Sequence, residues 1–140
     1  MSNPVPAPLP IGQPSENMVT VTHLVYALHA FAVFSAVVGS TMIIFGFIAS
    51  LPSIGAVILN YWNQTAVRDT WLESHFRWQI RTFWFAVLWV VIAALMAVTV
   101  IGLPFAFGLM LIVGLWILYR IVRGWWGLLQ RAPMPMPPQG

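Results

Sequence analysis

Two long stretches of this chain, residues 17–67 and 82–119, contain no Asp, Glu, Lys or Arg. A membrane-crossing helix needs about 20 predominantly apolar residues, so each stretch is long enough for two passes. The balance around them is not that of a soluble fold. Hydrophobic residues make up 60% of the 140 and charged residues 6%, against about 25% charged in ordinary soluble domains. The expected fold is an all-α, polytopic transmembrane helical bundle, because a helix satisfies its backbone polar groups within one segment.

The second stretch divides cleanly. Residues 82–101 form one span, IGLP (101–104) a tight break, and 105–126 the return, with Pro104 suited to a first helical turn where its missing N–H is not needed. The first stretch divides unevenly at SLPSIG (50–55). Residues 25–49 make an ample span, whereas 54–64 make a short piece of roughly 17 Å at 1.5 Å per residue. The expectation is three long helices plus one short helix. Residues 1–22 and 131–140 are rich in proline and read as disordered tails flanking a helical domain at 23–130. Residues 1–22 also lack the basic segment that opens a cleavable signal peptide, so the first span is expected to stay as an anchor.

Six arginines, three acids and no lysine give a net charge of +3. The arginines fall in two clusters, Arg68/Arg77/Arg81 and Arg120/Arg123/Arg131, and the hairpin between them brings both to one face. Positive-inside makes that face cytoplasmic, with the C-terminus inside. The short piece is expected to cross as well, which places the N-terminus inside too; if it does not cross, the N-terminus is outside. The expected location is a membrane crossed several times, with its arginine-bearing face toward the cytoplasm. No cluster is dense enough to neutralise several phosphates of a nucleic acid, so no nucleic-acid partner is expected. The expected partners are the lipid bilayer and other membrane proteins or a second copy.

Five of the nine charges lie in or just before TWLESHFRWQIRTFW (70–84). On a helix, Glu73, Arg77 and Arg81 form one stripe, with Glu preceding Arg in the favourable order. His75, Gln79 and Thr82 form a second, uncharged polar stripe. Leu72, Phe76, Ile80 and Phe83 form an apolar face between them. Trp78 and Trp84 flank Arg81 at i−3 and i+3, within reach of cation-π contact. One account is anchoring, with Arg68, Arg77 and Arg81 at the headgroups and Trp78 and Trp84 in the aromatic belt. The other is that His75, Gln79 and Thr82 face inward and line a polar site between helices, as polar residues at membrane depth do when they carry function. Near the C-terminus, YRIVRGWWGLLQR repeats the anchoring pattern with Arg120, Arg123, Trp125 and Trp126.

The order of HLVYALHAF (23–31), a Pro-Ser-Ile-Gly piece ending in Asn-Tyr-Trp, TWLESHFRWQIRTFW, the IGLP hairpin and YRIVRGW resembles a bacterial family of small uncharacterised membrane proteins. That family is grouped with the chloroplast inner-envelope protein-import component. The resemblance covers about residues 20–130. Its most specific part is SHFRWQIRTFW, where Trp78-Gln79 matches the Asn-Phe-Gln element of the wider family, with Arg77 at the position those relatives often give to Asn. It implies a small helical protein of the bacterial inner (plasma) membrane and a link to protein translocation.

Catalytic and metal chemistry find few residues. There is no cysteine, which removes disulfides, thiolate sites and thiol nucleophiles. His23 and His29 are six apart on different helix faces, fitting hydrogen-bonded structural histidines rather than metal ligands. Adjacent Ser74 and His75 point apart on a helix. The three acids, Glu16, Asp69 and Glu73, do not assemble a triad or an intramembrane carboxylate pair. No enzyme activity, metal or cofactor is expected. The residues favour a non-catalytic interaction or assembly subunit. A transport or protein-translocation component, and a membrane enzyme or haem-binding protein, stay open beside it.

Overall fold

A computed structural model describes residues 12–38 and 43–136, with side chains at 12–36 and 50–136. Four helices follow in chain order, α1 (Glu16–Val38), α2 (Ile43–Asn63), α3 (Leu72–Ala97) and α4 (Leu103–Leu129), with a 3-10 turn at Gln64–Val67. No strand is present among the described residues. Glu16–Ala36, α3 and α4 are each long and apolar enough to cross a membrane. The chain is thus an all-α, membrane-embedded helical protein, as its composition predicts.

The helix boundaries differ from expectation at three places. Helix α1 starts at Glu16, so residues 16–22 are its first turns and not tail. Ser15 is the reason: its carbonyl accepts from the N–H groups of Met18 and Val19, and its Oγ accepts from Met18 at 3.4 Å. Glu16 then stands at the positive end of the helix dipole.

The second difference is SLPSIG, which does not break the chain. Helix α2 runs through it with Pro52 inside, making the short piece a 21-residue helix. Proline removes one i to i−4 hydrogen bond, and in an apolar helix packed against neighbours that single loss is tolerated. The third is the C-terminal tail, where residues 132–136 fold back against α3. The remaining tail residues, 1–11 and 137–140, lie outside the described residues.

Helices α1 and α2 pair as a hairpin, held near its middle by a 2.8 Å hydrogen bond between His29 Nδ1 and Ser53 Oγ. Helices α3 and α4 form the second hairpin, about 40 Å long at 1.5 Å per residue. Its turn depends on Gly102, where a Cβ would meet the Met96 carbonyl and the Thr99 side chain in prohibitive contact. Pro104 sits in the first turn of α4, as its chemistry predicts.

Among the described residues, the segments nearest both chain ends are tied down at the arginine-bearing end of the bundle. Arg131 donates from both terminal nitrogens to the Glu16 carboxylate, at 2.8 and 3.0 Å. The Gly12 N–H donates to the Asp69 carbonyl at 3.0 Å. Asp69 and Arg131 adopt left-handed backbone angles, φ 62° and 51°, which costs a non-glycine residue about 1–2 kcal/mol. Each is held there: the Asp69 N–H donates to Glu73 Oε2, and the Arg131 N–H donates to the Leu128 carbonyl. The close-packed core, built on Tyr26, Trp71, Leu72, Phe76, Ile121 and Leu128, lies at the same end.

Candidate functional site: a buried polar network at the arginine-bearing end

The stripe His75, Gln79, Thr82 faces inward. These residues are 0%, 1% and 6% exposed, directed at α1 and α4 while Arg77 and Arg81 on the opposite side of α3 remain exposed. Positions i, i+4 and i+7 share one helix face, and in this chain the apolar residues beside them are what bring that face into the core.

His75 is bonded at both ring nitrogens. The Ala132 carbonyl can only accept, so Nε2 carries the proton and donates to it at 2.7 Å. In the neutral ring Nδ1 is then the acceptor, and the Tyr26 hydroxyl donates to it at 3.0 Å. Tyr26 and Trp71 close on the ring edge-to-face, at 6.0 and 5.7 Å between centroids. One residue down α3, the Ser74 hydroxyl accepts from the Met134 N–H at 2.7 Å. Together these bonds strap the tail across the start of α3. Gly124 makes room for the Tyr26 ring, since a Cβ there would collide with its hydroxyl and ring carbons.

Thr82, Trp78 and Arg120 form a closed set between α3 and α4. Arg120 Nε donates to Thr82 Oγ1 at 2.6 Å and Nη2 donates to the Trp78 carbonyl at 3.2 Å. Trp78 Nε1 returns a bond to the Arg120 carbonyl at 3.1 Å. The Arg120 guanidinium lies 3.6 Å from the Trp78 ring centroid and 5.1 Å from that of Trp116. This corrects two sequence expectations. Arg120 does not reach for headgroups but clamps the hairpin, and Trp78 pairs with Arg120 and Arg123 instead of with Arg81. A guanidinium some three turns inside α4 is better held by carbonyl, hydroxyl and ring faces within reach than by a distant phosphate.

Trp125 also turns inward. Its Nε1 donates to His23 Nδ1 at 3.0 Å, and its ring stacks on Tyr26 at 6.4 Å. The other predicted anchors, Arg68, Arg77, Arg81, Arg123, Trp84 and Trp126, are all exposed. Trp84 Nε1 donates to the Tyr61 hydroxyl at 2.9 Å, and Arg77 pairs with Glu73 at 2.7 Å.

Among the described residues, three buried polar groups are left incomplete. The carboxamides of Gln79 and Asn60 have no hydrogen-bond partner at either terminal atom, and His29 has none at Nε2. Gln79 lies beside the Tyr26 hydroxyl but short of hydrogen-bond geometry. An unsatisfied buried polar group costs about 1–3 kcal/mol. Asn60, wholly buried, was readable as the first of three carboxamides that close an apolar run; Tyr26 and Gly124 carried no comparable signal. His23 and His29 are bonded to different helices, and among the described residues no three His, Asp or Glu side chains converge as a metal site would require.

The fold and this site together define a membrane-embedded helical bundle with a strapped polar end. No family model, curated protein or solved structure matches the chain.

Proposed function

We propose that the protein is a non-catalytic interaction or assembly subunit of the bacterial inner membrane. The reading rests on one contrast. His75, Thr82, Arg120 and Trp125 are engaged in bonds that hold helices together, whereas the far half of the α3–α4 hairpin keeps an apolar hollow of about 340 Å³ lined by Val90, Ala93, Ala97, Ala106, Phe107 and Met110. Small side chains at the exposed Ala94 and the half-buried Ala97 allow close approach of another membrane helix. By the positive-inside rule the arginine-bearing end faces the cytoplasm, and Glu16 and Arg131 lie together at that end. A photo-crosslinking residue at Met110, irradiated in native membranes, should give a discrete protein adduct or a dimer of this chain. Adducts to lipid alone would overturn the reading.

The unpartnered carboxamides of Gln79 and Asn60 favour a second reading, a transport or protein-translocation component, which is also what the family resemblance implies. A polar solute or segment passing between helices would complete those groups. Gln79→Cys supplies the chain's single thiol. Modification by a small hydrophilic thiol reagent supports passage, and full protection supports the closed bundle.

A further inference from the structure

The strapped tail forms one wall of a second cavity of about 340 Å³, with Pro135 and Met136 on one side and Tyr61, Gln64, Trp78 and Arg81 on the others. Arg77 also lines it but is paired with Glu73. Arg81 has no hydrogen-bond or ion-pair partner among the described residues, and it stands at the edge of the hydrocarbon stretch that begins at Thr82. A free guanidinium in a cleft at that depth calls for an anion, and planar forked donors suit a phosphate.

Apolar surface leaves the cavity in one direction. On α3, Trp84, Leu88 and Val91 follow Arg81 at i+3, i+7 and i+10, and all three are exposed. On α2, Ile58 and Ile54 precede Tyr61 at i−3 and i−7, and these are exposed as well. Each set lies along one helix face, and the Trp84–Tyr61 hydrogen bond joins the two faces at the cavity's mouth. From Arg81 to Val91 the helix rises about 15 Å, the hydrocarbon depth of one leaflet.

We infer that this cavity is a binding site for an anionic phospholipid, with the headgroup phosphate on Arg81 and an acyl chain along the joined α2–α3 faces. Gln64 offers an amide N–H to the same headgroup, and Pro135 and Met136 of the exposed tail form the wall facing it. The inference needs membrane residence but neither the assembly role nor the orientation. A zwitterionic lipid brings its own cation to the site and gains less from Arg81.

Native mass spectrometry of the full chain in mild detergent tests it, after addition of phosphatidylglycerol or phosphatidylcholine. Phosphatidylglycerol should be retained in preference. Arg81→Gln should lower that retention about tenfold, the loss of one charge-assisted hydrogen bond, and Arg68→Gln, outside the cavity, should leave it unchanged. Met136→Glu, a change in the exposed tail that spares the helices, should lower it too by setting a carboxylate against the phosphate. Incorporation of every variant into phosphatidylcholine vesicles checks membrane residence and folding separately. Equal retention of the two lipids, or equal behaviour of the Arg81 and Arg68 variants, would overturn the site. Displacement of the lipid by millimolar inorganic phosphate would overturn it as well, since the anion alone would then suffice.

Discussion

His75 Nε2 donates to the carbonyl of Ala132, 57 residues further along the chain, while its Nδ1 receives the hydroxyl of Tyr26 from a third segment. One neutral imidazole thereby joins α1, α3 and the C-terminal tail. His75→Ala should remove both bonds and leave the Tyr26 hydroxyl buried without an acceptor, a loss of about 2–4 kcal/mol. Thermal unfolding in detergent measures it. Trypsin cleavage after Arg131 should quicken in the same variant, because the tail loses the bond that holds it. Tyr26→Phe removes only the hydroxyl and should cost less, about 1 kcal/mol, with the tail still protected.

Arg120 separates clamping from anchoring. Its partners are Thr82, the Trp78 carbonyl and two tryptophan rings, all inside the protein. Arg120→Gln should therefore destabilise the α3–α4 hairpin by about 1–3 kcal/mol, the scale of a half-buried cation-π contact plus a charge-assisted hydrogen bond. That cost should persist in a nonionic detergent that offers no phosphate. Arg123→Gln, at an exposed position, should cost under about 1 kcal/mol under the same conditions. Equal costs for the two would assign Arg120 to the headgroups after all.

The glycines of α4 should divide sharply. At Gly124 a Cβ has nowhere to go, because the Tyr26 ring and hydroxyl occupy its place. Tyr26 cannot retreat without giving up His75, so Gly124→Ala should destabilise by about 1–3 kcal/mol through overpacking. At Gly114 a Cβ meets nothing within 4 Å. Gly114→Ala should instead be neutral or stabilise by up to about 1 kcal/mol through helix propensity. Paired melting curves of the two variants decide it.

What the sequence made legible follows from how local each signal is. The IGLP turn could be read because Gly102 and Pro104 act within one turn of helix. The inward stripe could be read because His75, Gln79 and Thr82 recur at a helical period. Pro52 misled for the same reason in reverse: a proline in an apolar run looks alike whether it opens a helix or sits within one, and only packing against α1 decides. The roles of Tyr26, Arg120 and the tail were hidden because each depends on a partner 38 to 57 residues away. No periodicity within one helix encodes such a pairing. Arginine beside tryptophan reads as an interface anchor at every such site, and depth alone separates Arg120 from Arg123.

The two hairpins make a topological prediction that the chain's lack of cysteine lets one test cleanly. The Glu16–Arg131 and Gly12–Asp69 contacts bring the start of α1, the approach to α3 and the end of α4 to one end of the bundle, whereas Val100 stands exposed at the opposite tip. Since α2 is 21 residues long, about 31 Å at 1.5 Å per residue, it can match the hydrocarbon thickness and return the chain across it. Single-cysteine variants at Ser15, Gln130 and Val100 should report this to a membrane-impermeant maleimide. Ser15→Cys and Gln130→Cys should label from the same side, the cytoplasmic one if positive-inside holds, and Val100→Cys should be inaccessible from that side. Labelling of the first two from opposite sides would mean that α2 enters without crossing. It would also be incompatible with the Glu16–Arg131 ion pair, so Glu16→Gln should then leave Arg131 reactivity and tail proteolysis unchanged.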